Sequence, residues 1–222
     1  MPRTTANRPP TRRLTAVAVL LLLIAASVTA AGDLVFTPRD IAGWTTEQFN
    51  GSVQYRVVQQ DGREALHATC TGNGASARYL KRDIDLRETP ILEWSWRIEG
   101  TFSGRDERTK AGDDYPVRLY AVVDGGLLRW KTQAVNYVWA SEQPAGSVWP
   151  NAYASQAKML ALQSGPSRAG EWVTERRDLA SDFQRLHGES PPVIHGLAIM
   201  TDCDDVGQPI EGWYGEIRLR RR

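Results

Sequence analysis

Residues 91–98 read Ile-Leu-Glu-Trp-Ser-Trp-Arg-Ile. Leu92, Trp94, Trp96 and Ile98 alternate with Glu93, Ser95 and Arg97. An extended chain turns alternate side chains to opposite faces, so this segment is a strand with one apolar and one polar face. Similar short runs recur on both sides of it. Upstream, 53–58, 65–70 and 77–84 read as strands, with Asp61-Gly62 as a hairpin turn between the first two. Downstream, 117–123, 133–140, 156–163, 171–178, 193–201 and 213–219 continue the series, broken by Gly, Asp, Asn and Pro. Leu179, Phe183 and Leu186 have helical spacing instead, which predicts one short helix over 179–187. About ten short strands with turn residues between them predict an all-β fold, an antiparallel two-sheet β-sandwich of jelly-roll type. Residues 99–115 form the longest stretch without a strand pattern, and a loop of that length is uncommon unless functional.

The 222 residues have room for one ordinary domain plus an export segment. A hydrophobic fraction of 41% supplies a core, and a charged fraction of 24% is that of a soluble globular protein. Basic Met1 to Arg13, apolar Leu14 to Val28 and small Thr29 to Gly32 follow one another in the order of a secretory signal. Val28-Thr29-Ala30 suits cleavage. We therefore expect a signal peptide over 1–30, a single domain over 31–222, and a periplasmic or secreted location. Membrane contact is expected only where the first segment stays uncleaved. The first 30 residues hold four arginines and no acid, which leaves 23 basic against 26 acidic residues, a net charge of −3. That balance lacks the concentrated basic face of a nucleic-acid-binding protein. Cys70 and Cys203 are the two cysteines. Export permits a disulfide between them, and two buried free thiols are the other reading.

No GxSxG, phosphate-loop, GxGxxG or HExxH pattern occurs, and His67, His187 and His195 lack metal-ligand spacing. We expect neither a familiar catalytic centre nor a resident cofactor. Asp113, Asp114, Glu175 and Asp202 keep one enzyme reading open, a polysaccharide hydrolase or lyase working through paired carboxylates.

Eight tryptophans and seven tyrosines are many for this length, and Trp94 and Trp96 read as core. Trp139, Trp149 and Tyr153 lie among Asn, Ser, Gly and Pro. There an aromatic either packs a loop or stacks on a ligand such as a sugar ring. Arg97, Arg118, Tyr120 and Lys158 lie opposite the apolar sets of their strands. If those strands are neighbours, these four form the floor of one cationic pocket, with Asn136, Trp139, Trp149 and Tyr153 as its wall. Such a pocket suits an anionic saccharide, and the other reading is a solvated face of ion pairs. Finally, Thr201-Asp202-Cys203-Asp204-Asp205-Val206-Gly207 brings three carboxylates together at the end of a strand. Asp202, Asp204 and Asp205 are candidate oxygen ligands for a structural Ca²⁺, with solvent or arginine pairing as the alternative.

Several blocks carry a family resemblance. They are Lys110-Ala111-Gly112-Asp113-Asp114, Asn136-Tyr137-Val138-Trp139, Trp149-Pro150-Asn151, Trp172 to Asp178, Met200-Thr201-Asp202 and Trp213-Tyr214-Gly215-Glu216-Ile217. In this order they resemble a bacterial family catalogued as domain of unknown function number three thousand and forty-seven. The resemblance covers most of residues 40 to 220 and implies exported bacterial origin without an established activity. The family usually has aspartate where Glu216 stands, and polar residues near Cys203. A looser likeness is to the galactose-binding-like jelly rolls of carbohydrate-binding modules, on Ala65-Leu66-His67-Ala68, Ile84-Asp85-Leu86 and the closing strand. Fold-level analogy of that kind does not fix function. The expected function is a non-catalytic, exported ligand-binding domain for an envelope glycan or anionic saccharide. The alternatives are the hydrolase or lyase above and an envelope scaffold protein.

Overall fold

The computed structural model describes residues 32–127 and 131–222. The signal peptide expected over 1–30, its cleavage and any membrane contact through it lie outside the described residues.

Two sheets stack face to face, their strands numbered here in chain order. The first holds β1 (Leu34–Phe36), β3 (Gln54–Gln60), β4 (Arg63–Cys70), β6 (Ile91–Ile98), β11 (Val173–Asp178) and β13 (Ile210–Arg220). Its order is β11-β6-β13-β4-β3, with β1 alongside β13. The second holds β2 (Thr45–Asn50), β5 (Ala75–Asp85), β7 (Arg118–Val123), β8 (Gln133–Ala140), β9 (Val148–Pro150), β10 (Ala157–Ser164) and β12 (Val193–Asp202). Its order is β2-β5-β12-β7-β8-β10-β9. Pairing is antiparallel except between β8 and β10, which run parallel. The β-sandwich is the expected one. The short β1, β2 and β9 and a five-residue helix, α1 (Pro38–Ala42), are additions to the expected elements.

The alternation in β6 becomes the core. Leu92, Trp94, Trp96 and Ile98 are buried, while Glu93, Ser95 and Arg97 sit on the outer side. Opposite them the second sheet offers Leu119, Ala121, Val135, Tyr137 and Trp139. Ring centroids of Trp94 and Tyr137 are 5.2 Å apart, and those of Trp96 and Trp139 6.3 Å. Tyr214 of β13 pins the sheets with a polar contact. Its hydroxyl donates to the Met200 carbonyl at 2.6 Å and accepts the Arg118 N–H at 3.3 Å. A buried hydroxyl needs such partners to repay its lost hydration.

Helix α2 (Leu179–His187) has the bounds its spacing predicts. Asp178 caps it by accepting the Ser181 N–H, and Gly188 ends it at φ 81°, a conformation that favours glycine. The buried Asp182 anchors it, accepting the Tyr137 hydroxyl at 2.8 Å and the Arg177 Nε at 2.8 Å.

Gly212 lies where β13 passes close to the chain before β7. A Cβ there would meet the Pro116 carbonyl oxygen and a Val117 methyl, each at 2.5 Å. Gly212→Ala is expected to cost about 1–3 kcal/mol through overpacking. Urea unfolding measures it, and a loss under about 0.5 kcal/mol would contradict this account.

Candidate ligand-binding cleft

Arg118 opens β7 on the outer face of the second sheet and is 3% exposed. Its Nε donates to Asp202 Oδ1 at 3.0 Å, and its Nη2 donates to the Asp113 carbonyl at 2.7 Å and contacts Asp202 Oδ2. The guanidinium also lies 4.5 Å from the centroid of the Tyr115 ring. Asp202 Oδ1 accepts the Tyr115 N–H as well, at 2.9 Å. Arg118 thus commits Nε and Nη2 to its own chain, and its Nη1 lies 3.7 Å from Asp113 Oδ2. Burial pushes the Asp114 carboxyl up to about 6 and raises Asp113 too, against the pull of Arg118.

Above this network lies an open cleft of about 480 Å³. Tyr120 and Met200 form its floor, and Phe49, Tyr153, Asp204 and Asp205 stand at its rim. A second hollow of about 790 Å³ continues it along the sheet past Tyr79, Lys81 and Gln156, with Phe49 and Tyr120 common to both. Phe49 is 64% exposed and Tyr153 58%. Tyr153 is held in place: its hydroxyl donates to Asp205 Oδ1 at 2.5 Å, and Lys110 Nζ sits 4.8 Å from its ring centroid.

The pocket expected from strand parity is only partly assembled. Arg118 and Tyr120 share the cleft with Tyr153, and Asn136 lies directly opposite Tyr120, buried beneath the surface. Arg97 is elsewhere. It belongs to β6 in the other sheet, donates from Nε to the Gly170 carbonyl at 3.0 Å, and stacks 4.5 Å over Trp213. Lys158 is on the wrong face, sharing its side of β10 with the core residue Leu160, and donates to the Ser155 carbonyl at 3.0 Å. Trp139 faces the core, its Nε1 donating to the Gly165 carbonyl at 3.0 Å. Trp149 is buried in a second apolar cluster on the outer side of the sheet, with Tyr115, Val138 and Met159. That cluster explains the error at Lys158: β10 is apolar on both faces, so Met159 does not mark the core side. The cationic character also fails, because Asp113, Asp114, Asp202, Asp204 and Asp205 outnumber Arg118 at this end of the cleft.

Of the candidate paired carboxylates, Glu175 lies on β11 in the first sheet, accepting from Gln163 Nε2 at 2.7 Å. It is not brought together with Asp113, Asp114 and Asp202. One carboxylate oxygen from each of Asp114, Asp202 and Asp204 lies within 4.8 Å of the others. Asp205, expected in that set, turns to Tyr153 instead. Cys70 and Cys203 are joined by a disulfide, with Cα atoms 6.1 Å apart.

Three contributors were missed by sequence reasoning. Phe49 sits in β2, whose six residues are all exposed and show no alternation. Its signal was a lone large apolar side chain in a polar run. Asn151 donates from Nδ2 to Asp113 Oδ2 at 2.7 Å. Glu107, buried in the long loop after β6, accepts the backbone N–H groups of Ser141, Glu142 and Gln143 at 2.6, 3.1 and 2.9 Å. It fastens that loop over the second apolar cluster, which gives the loop a structural task.

Fold and cleft together define a β-sandwich domain with an aromatic-rimmed, acid-rich groove on the outer face of one sheet. Residues 42–218 match the family described as protein of unknown function (DUF3047), and the chain belongs to that family. No curated protein matches the chain. Among solved structures, the family 11 carbohydrate-binding module of the cellulosomal cellulase Lic26A-Cel5E of Clostridium thermocellum aligns at TM-score 0.45 and 10% identity, over 87% of this chain and 97% of that one. A cellulase derived from Cel12A of Rhodothermus marinus aligns at TM-score 0.43 and 10% identity, over 78% and 99%. At such values neither likeness carries an argument about this chain.

Proposed function

We propose that this is an exported, non-catalytic binding domain for an uncharged saccharide, held in the cleft between Phe49 and Tyr153. The observation that carries the reading is this pair of exposed aromatics at the rim of an open groove. Large apolar rings are costly to leave in water, and they stack well on the C–H faces of pyranoses. Carboxylates and amides around them, Asp204, Asp205 and Asn151, offer acceptors and donors for hydroxyl groups. The excess of carboxylates repels an anionic sugar, which is why the anionic ligand suggested by strand parity gives way to a neutral one. The hydrolase reading has less support, since Glu175 lies on the other sheet, apart from Asp114 and Asp202.

The test is a glycan array on the purified protein, followed by calorimetry and product analysis on the hits. Tyr153→Ala and Phe49→Ala should each weaken binding about tenfold or more. Both should leave stability within about 0.5 kcal/mol, since both side chains are largely exposed. New reducing ends would overturn the non-catalytic part of the reading. Hits confined to acidic glycans, or undiminished binding by both variants, would overturn the choice of ligand and site.

A further inference from the structure

We propose that Asp114, Asp202 and Asp204 hold a divalent cation, Ca²⁺ by its chemistry, at the acidic end of the cleft. The three come from two segments that meet only in the fold. Asp114 lies just before β7, while Asp202 ends β12 and Asp204 follows it. One oxygen from each falls within 4.8 Å of the others. Two oxygens on opposite sides of one Ca²⁺, each at about 2.3–2.6 Å, span about that distance. Carboxylates are hard ligands, and irregular loops adapt to the variable geometry of Ca²⁺ better than to the strict octahedron of Mg²⁺.

Acidic clusters occur without metals, so the case rests on a second observation. Asp114 is 1% exposed. Its Oδ2 accepts the Val206 N–H at 2.5 Å, but its buried Oδ1 has no hydrogen-bond donor among the described residues. A buried carboxylate oxygen left without a positive partner costs free energy. The nearby guanidinium is not free to supply one, because Arg118 is directed at Asp202 and Asp113. Five carboxylates, those of Asp113, Asp114, Asp202, Asp204 and Asp205, thus crowd one buried arginine. A bound cation would answer both the orphan oxygen and the surplus charge.

The surroundings are already ordered for it. Cys203, between two of the ligands, is tied by its disulfide to Cys70, and its N–H donates to the Gly74 carbonyl at 2.9 Å. Asn50 Nδ2 donates to Asp204 Oδ2 at 3.0 Å and so restrains that side chain. The cation site does not rest on the saccharide reading, although the two share Asp204, and a bound cation would offset part of the charge that disfavours an anionic sugar.

The purified protein, stripped with EDTA and desalted, is titrated with calcium chloride by calorimetry, and its thermal midpoint is followed in parallel. The expected result is saturable binding at one site and a midpoint that rises with Ca²⁺. Asp114→Asn could disturb folding by itself, so the deciding variant is Asp204→Asn at a half-buried position. It should bind Ca²⁺ at least about tenfold more weakly while its metal-free midpoint stays close to the parent's. Asp83→Asn, on the exposed part of β5, should bind as the parent does. No heat and no midpoint shift at millimolar Ca²⁺, or undiminished binding by Asp204→Asn, would overturn the proposal.

Discussion

Arg118→Ala is expected to unfold the domain or to cost it about 3–5 kcal/mol, the usual loss when one partner of a buried ion pair is removed. The variant leaves the Asp113 carbonyl without its donor and Asp202 with only the Tyr115 N–H, in a site 3% exposed or less. A cavity beside Tyr115 adds to the loss. Urea unfolding followed by tryptophan fluorescence reads this directly, since Trp94, Trp96 and Trp139 report on the core. The double variant Arg118→Met, Asp202→Asn should recover part of the stability lost in Arg118→Met, because the unpaired charge goes with its partner. A folded Arg118→Ala with unchanged stability would mean that this network is not a structural one.

The second large effect concerns the disulfide. Cys70 and Cys203 are separated by 133 residues, so their bond closes most of the domain into a loop. On the chain-entropy account, removing a link across such a loop costs about 5 kcal/mol. For a domain of this size that corresponds to a fall of about 10–20 °C in thermal midpoint. Cys70→Ser with Cys203→Ser should show it, and reduction of the parent under mild denaturation should match it. The bond also ties the start of the Cys203–Val206 turn to β4, so the variant should weaken any Ca²⁺ binding. A midpoint within about 2 °C of the parent would show that the fold does not rely on this link.

Much of the architecture was legible in the residues. β6, β8 and α2 have the bounds that alternation and helical spacing give them, because these signals are local. β1, β2, β9 and α1 were not legible. Three to six residues at an edge or a chain crossing carry too few side chains to show a period, and β2 is exposed throughout.

The site divides along the same line. Parity within one strand is a local property, and it placed Arg118 and Tyr120 opposite Leu119 and Ala121 as the structure has them. Which strands become neighbours is decided by pairing across long separations, and that put Arg97 in one sheet and Arg118 in the other. Lys158 failed for a related reason. Where loops roof the outer face of a sheet, a strand is apolar on both sides and no longer says which way is in. The charge of the cleft was the last thing only the fold could decide. Asp113, Asp114 and the 202–205 turn are nearly ninety residues apart, and their arrival around Arg118 converts an expected cationic pocket into an acidic one. The sequence by itself determined the strands and their faces, because steric alternation acts within a few residues. Only tertiary structure decided the site, because electrostatics acts on whatever the fold brings within a few ångströms.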